Sequence, residues 1–533
     1  MIVLLIASIP QFTTHLKGIF IASINQNFAA HQFVCSYFPF PDHQTSLSDA
    51  ARSTARADKN MSDTPNLNAP QSAGTLPPLS WGQELRATAL LAAPLVAANL
   101  LQMLTYAIDV IFIARLGEEP LAASALAVSL FGLVLWAMTA LTGAVAPLIA
   151  EAIGARAPAL RPVRRSVRMA LWLAMVCGII GIGLCLLLEP IMRATGQQEP
   201  ITALANEYNN VIIFSMVPML LSSVLRNFVS ALGRPIFATA ITAMGIFVNG
   251  FANYAFIFGN FGAPELGLRG AAIATILTAL FTLFAYVIAI RLDPSLHRYR
   301  VFGRLWAPDW DRFWQIVRVG TPIALTVSAE AGIFGAAAFL MGRIGAAELA
   351  GHTLALQLAS LAFQIPFGVS QAVTIRVGYF FGARNPVGIQ RAGWVALGLG
   401  AAFMTLTAST MLLAPYTLLS IYVDPYATQN AALVSFALQY LVLAAAFQLV
   451  DGVQAVAAGA LRGLQDTRVP MWIAIFSYWV PGIGAAIGLG FYTSLEGVGV
   501  WIGLAVGLAC AAVLLMQRWT ARERLGLVPR AVD

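Results

Sequence analysis

Charged residues are scarce in this chain. Of its 533 residues only 10% are Asp, Glu, Lys or Arg, against 59% hydrophobic, where a soluble domain carries about 25% charged residues. Together with a mean hydropathy of +0.76, this excludes water as the solvent of most of the chain. Cysteine is scarce too: Cys35, Cys177, Cys185 and Cys510 contain no C-x-x-C pair. The last three fall in apolar runs and read as small core residues. The five histidines show no metal-ligand spacing, and no cofactor motif is present, so no bound cofactor is expected. There is no Gly-x-Gly-Asp motif and no His-x4-Asp pair, which argues against an intramembrane acid protease or an acyltransferase. No segment outside the apolar runs is large enough for a signalling domain, which argues against a receptor or scaffold. The net charge of +7 would suit nucleic acid, but the basic residues sit in short loops between apolar runs. Orientation in a bilayer explains them better, and no nucleic-acid partner is expected.

What is abundant is long apolar sequence. Many runs exceed the ~20 residues that a helix needs to cross a ~30 Å hydrocarbon layer. Only helices and closed barrels satisfy their backbone in lipid, and the runs lack the two-residue alternation of a barrel strand. The expectation is an all-α integral membrane protein. From Trp81 onward twelve spans are expected, at about 86–114, 120–146, 166–190, 203–230, 235–260, 268–292, 313–342, 348–380, 389–414, 430–460, 469–491 and 496–518. Turn signals separate them, as at Gly233-Arg234-Pro235 and Gly382 to Pro386.

The first eighty residues differ. Met1 to Pro10 is apolar but too short to span, and no basic segment precedes it, so a signal peptide is a poor reading. Met61 opens a polar Pro/Ser/Asn/Ala stretch with the composition of a disordered tail. Residues 1–80 are expected to be a disordered extension; either native translation starts near Met61 and residues 1–60 are not translated, or they are a real but unstructured extension.

Arginine sets the expected topology. Both lysines, Lys17 and Lys59, precede Met61, and the rest of the chain has 27 arginines. With a cytoplasmic N-terminus, 23 of these fall at cytoplasmic helix ends, Arg226 and Arg376 among them. Only Arg115, Arg193, Arg269 and Arg343 fall outside. That asymmetry fits the positive-inside rule for an inner (plasma) membrane protein with both termini cytoplasmic. The organisation expected is an N-lobe over 81–292, a basic cytoplasmic linker over 293–312, a C-lobe over 313–518 and a cytoplasmic tail over 519–533.

The lobes are copies. Sliding residues 94–158 onto 322–386 without a gap matches 15 of 65 positions, including Pro94/Pro322, Arg115/Arg343 and Gly117/Gly345. The match ends with Gly154-Ala155-Arg156-x-Pro158 over Gly382-Ala383-Arg384-x-Pro386. The shift of 228 residues spans six helices, an even number, so both copies enter the membrane in the same direction. Two six-helix lobes related by a pseudo-two-fold along the membrane normal are expected, the parallel repeat of transporters.

Three acids lie well inside apolar runs: Asp109, Glu330 and Asp451. Each costs ~2.5–3.5 kcal/mol at a helix centre on insertion scales, so each is expected to face a cavity or another polar group. The repeat pairs Asp109 with Ala337 and Glu330 with Gln102, so the acids break the internal symmetry. A cavity carboxylate can hold a proton, a sodium ion or a cationic compound, but hardly two at once, and that competition couples two fluxes. All mid-span charges read as acidic, which argues against a lipid-linked oligosaccharide flippase. Such a transporter could share the two-lobe plan but would meet pyrophosphate with arginines. Gln364 and Gln454 are polar candidates for the cavity wall. Tyr106, Phe334, Phe363 and Phe367 could offer aromatic surface to a flat cation.

Three stretches carry a family likeness. They are Pro94 through Gly117 with Asp109; Gly320-Thr321-Pro322 with Glu330, followed by Gln364 to Gly378; and Asp451-Gly452-Val453-Gln454 leading to Gly459 through Thr467. Over about residues 85–518 the chain resembles the multidrug and toxic compound extrusion (MATE) family, nearest its NorM-like branch. The resemblance implies export of small cationic amphiphilic compounds driven by inward flow of sodium ions or protons; a monomer is expected. It implies a C-lobe cation site of Glu330 and Asp451, which favours sodium, and an N-lobe site in which Asp109 joins Asn249 and Asn253. Those asparagines stand four residues apart and share a helix face. Some family members carry an Asp in that helix, where this chain has amides only.

Overall fold

The computed structural model describes residues 80–155 and 159–529. The reading of residues 1–60 and most of the N-terminal extension, Cys35 included, lies outside them. Twelve helices among the described residues are long and apolar enough to cross a bilayer. In chain order they are α1 Trp81–Ala114, α2 Glu118–Gly154, α3 Leu160–Ala194, α4 Glu199–Ala231, α5 Ile236–Phe258, α6 Leu268–Leu292, α7 Trp310–Ile344, α8 Ala346–Gly382, α9 Pro386–Leu413, α10 Thr428–Gly463, α11 Arg468–Phe491 and α12 Glu496–Thr520. Each expected span coincides with one of them. Most helices run a few residues longer, because their polar ends reach past the apolar core that hydropathy detects.

Local chemistry sets several boundaries. Ser80 caps α1 through a capping box with Gln83. Gly259, at φ 70°, closes α5 in the left-handed conformation that glycine adopts without strain. Pro94, Pro322 and Pro366 lie inside α1, α7 and α8, where each removes a backbone donor. At the Pro94 turn a bond joins two helices: Thr239 Oγ1 of α5 donates to Pro94 O at 2.6 Å. In α11 a π-helical turn, Tyr478–Gly482, surrounds Pro481. The wider turn accommodates a residue with no N–H to give.

The linker between the lobes holds a short helix, Pro294–His297, and docks on α3. Arg168 Nη1 donates to Arg304 O at 3.2 Å, Trp172 Nε1 to Leu305 O at 2.8 Å, and Arg165 Nε to Asp309 Oδ2. Asp309 also caps α7. Its carboxyl is held below the usual range mainly by the Arg165 hydrogen bond, against a smaller opposing effect of burial.

The lobes meet where α2 and α8 end. A Cβ on Gly154 would lie 1.9 Å from Tyr379 O, and one on Gly382 would lie 2.0 Å from Glu151 O. Gly154 and Gly382 are repeat partners, and so are Glu151 and Tyr379. Each glycine thus packs on the other lobe's copy of one carbonyl, the exchange that a two-fold relation requires. Gly320 against Leu141 O and Gly368 against Val96 extend the same seam. Cys177 and Cys185 are buried free thiols and Cys510 is half-buried, consistent with small packing residues.

Candidate functional site

Asn99, Gln102, Tyr106 and Asp109 recur every three or four residues along α1 and form one stripe. Gln102, Tyr106 and Asp109 line a cavity inside the N-lobe, whose other walls come from α2, α4, α5 and α6. Seven of its lining side chains are threonine or serine hydroxyls outside α1, among them Thr139, Ser222 and Thr278.

Asp109 is held on one side only. Asn249 Nδ2 donates to its Oδ1 at 2.9 Å and Asn253 Nδ2 to the same oxygen at 2.6 Å. Asn253 Nδ2 also reaches Asn249 Oδ1 at 3.2 Å. Both asparagines are buried, and their four-residue spacing turns both toward α1. Oδ2 of Asp109 receives no described hydrogen bond and is left for the cavity. Tyr106 lines the same cavity. Phe363 and Phe367 stack on each other at 6.0 Å, and Phe334 meets Phe447 edge-on at 6.1 Å.

The second acid group sits in the C-lobe. Glu330 of α7 and Asp451 of α10 lie within electrostatic range of each other, with Tyr478 of α11 near both. The Arg462 guanidinium also acts on Glu330. Close packing of Gly452 against Met404 fixes the α9–α10 contact beside Asp451, and Thr407 Oγ1 ties in Gln448 Oε1 at 2.9 Å. Gln454 Nε2 donates to Tyr478 Oη at 2.7 Å. Asp451 Oδ1 and Gln454 Oε1 are buried acceptors with no described partner, and their spacing (i, i+3) puts them on one face of α10. No cluster of three or more His, Cys, Asp or Glu occurs among the described residues. Gln364 is not drawn into either group: its described bond runs to Ser360 O of its own helix at 3.3 Å.

Three charged residues were misread or missed in the sequence. Arg226, expected at a cytoplasmic helix end, lines the N-lobe cavity, so the mid-span charges are not all acidic. It stands five residues before the end of α4, which made it resemble a loop residue. Glu84 and Arg376 also looked like helix-end residues. They are 1% exposed each and form a two-pronged ion pair between the lobes, with Arg376 Nη2 to Glu84 Oε2 at 2.5 Å and Nε to Oε1 at 2.9 Å. Near them Gln465 Nε2 donates to Glu151 Oε2 at 2.5 Å. Glu207 of α4 pairs with Arg269 of α6 at 2.6 Å.

The MatE family model matches this chain twice, over residues 94–255 and 322–487. The chain belongs to the MatE family. The two matches begin 228 residues apart, the shift of the internal repeat, so the family's unit is the lobe itself. A probable multidrug resistance protein NorM of Mesorhizobium japonicum is 42% identical over 84% of this chain and 95% of that relative. A protein of the same name from Brucella suis is 40% identical over 82% of this chain and 93% of its own length. Among solved structures, the "Outward-facing conformation of a multidrug resistance MATE family transporter of the MOP superfamily" superposes with a TM-score of 0.75. It is 22% identical, over 86% of this chain and all of the other. The MatE fold of two six-helix lobes is thus this chain's fold.

Proposed function

We propose that this MatE protein exports cationic amphiphilic compounds by antiport with sodium ions or protons. The observation that carries the reading is Asp109: one carboxylate oxygen is fixed by two buried asparagines and the other is left for a polar cavity. A carboxylate held this way exchanges cations without moving. A cationic compound and the coupling ion then compete for one charge, and alternating access of the lobes turns competition into exchange. The NorM relatives' name as multidrug resistance proteins supports drug efflux. Glu330 and Asp451, with the free oxygens beside them, supply a second cation site, which favours sodium as the coupling ion. No bond is made or broken in this cycle, so the chain is read as a transporter and not an enzyme, and as a monomer.

The arginine distribution supports an inner-membrane orientation with both termini cytoplasmic. In that orientation the seam of Gly154, Gly382, Glu84 and Arg376 closes the cytoplasmic end, and the lobes face outward. The flippase alternative expects a cavity lined with arginines, whereas one arginine stands here among hydroxyls and an acid. The test is ethidium movement in inverted membrane vesicles under sodium jumps and pH jumps applied separately. Movement driven by one of the ions supports the proposal. Movement driven by neither overturns it.

A further inference from the structure

Arg226 is the second charged residue of the N-lobe cavity. Its described bonds go to neutral amide oxygens of α1: Nη2 to Asn99 Oδ1 at 2.5 Å and Nη1 to Gln102 Oε1 at 3.4 Å. A guanidinium has five N–H donors. No carboxylate pairs with Arg226 among the described residues, and a costly arginine charge at membrane depth that faces a cavity marks a substrate or ion path by default. Asn99 and Gln102 hold the guanidinium near the middle of α1. Asp109 lies two helical turns further along the same stripe, a rise of about 10 Å from Gln102. The cavity therefore has a cationic pole and an anionic pole, joined by the Tyr106 ring and by hydroxyl groups.

We infer that Arg226 is a specificity-determining residue that binds a carboxylate on the substrate, so that the cavity accepts zwitterionic amphiphiles with the ammonium at Asp109 and the carboxylate at Arg226. This rests on the cavity being the substrate site of the proposed exporter. An arginine that served only to join α4 to α1 would need no open cavity beside it and no opposite charge at the cavity's other end. The planar guanidinium also matches a carboxylate with two parallel hydrogen bonds.

Two dyes of one skeleton test the assignment. Rhodamine 110 carries a carboxylate beside its xanthylium cation, and rhodamine 123 is its methyl ester, a cation only. Binding of each to the purified full-length protein is measured by fluorescence polarisation. The wild type is expected to bind rhodamine 110 at least as tightly as rhodamine 123. Arg226→Gln is expected to weaken rhodamine 110 about tenfold and to tighten rhodamine 123, because a repelling charge has left the cavity. Arg226→Lys is expected to keep the wild-type order. A wild type that prefers the ester tenfold overturns the inference without any variant. A folded Arg226→Gln protein whose two affinities move together also overturns it. If the wild type binds as expected but moves neither dye in vesicles under a sodium or proton gradient, the export reading fails and the Arg226 assignment stands.

Discussion

Arg376 of α8 grips Glu84 of α1 across the lobe interface with two hydrogen bonds, and neither side chain is more than 1% exposed. Arg376 also lies over the Phe380 ring at 5.0 Å, and Thr88 Oγ1 adds a bond to Glu84 Oε1 at 3.4 Å. Removing one partner of such a pair costs ~3–5 kcal/mol, because the other charge stays buried. In a state open at this end, water reaches both groups and that cost disappears. Glu84→Ala is thus expected to shift the lobes toward opening here by about a hundredfold or more. Spin labels at the exposed positions Arg161 and Gln390, in a cysteine-free background, should show a longer distance growing in. The double variant Glu84→Met with Arg376→Met removes both charges and should restore the short distance. A Glu84→Ala distance distribution like that of the wild type would show that the pair does not hold the closure.

Gly154 and Gly382 permit the backbone approach at the same seam. An added methyl at either site meets a carbonyl oxygen at 2.0 Å or less, and overpacking of this kind costs ~1–3 kcal/mol. Gly154→Ala and Gly382→Ala are expected to lower the thermal midpoint in detergent by similar amounts, since the two contacts are exchanged copies. A loss at one site only would contradict the reciprocal packing.

The Arg165–Asp309 bond is expected to decide how firmly the linker docks. Asp309 titrates below its ordinary range because Arg165 bonds its charged form. A depressed carboxyl contributes above its unfolded pKa, and the contribution is lost as pH falls through the folded value. Docking should hold from neutral pH down through the normal carboxylate range and weaken only below it. Arg165 is half-exposed, so the effect is modest. At neutral pH, Asp309→Ala should speed tryptic cleavage after Arg298 and Arg300 a few-fold. Cleavage at the wild-type rate would show that the Arg168 and Trp172 bonds suffice.

Asp109→Asn keeps the shape of the N-lobe site and removes its charge. Monocation binding, read with rhodamine 123, is expected to fall at least about tenfold, a loss of about 1.4 kcal/mol. Asn253→Ala removes the shorter of two bonds to the carboxylate and should weaken binding less. An Asp109→Asn protein with wild-type affinity would place the cation elsewhere.

Much of this architecture was legible in the sequence because membrane physics is written in composition. Runs of ~20 apolar residues, arginine asymmetry and the 228-residue shift each constrain the fold independently. Asp109 was legible as an acid in an apolar run, but its partners Asn249 and Asn253 came from the family resemblance, and spacing alone says only that they share a helix face. The Glu84–Arg376 pair was not, since its members stand 292 residues apart and each looks like an ordinary helix-end charge. Arg226 escaped for the same reason. Its position near the end of α4 hides the fact that this end faces the middle of α1. Gln364 shows the opposite error: a polar residue in an apolar span whose described bond returns to its own backbone.

The most direct test of ion coupling at the buried carboxylates is ethidium transport in proteoliposomes with an imposed sodium or proton gradient, comparing wild type with Glu330→Gln. The expected result is gradient-driven ethidium movement in the wild type that collapses in Glu330→Gln, with the variant still folded and inserted. Undiminished ion-driven transport by Glu330→Gln would contradict the assignment.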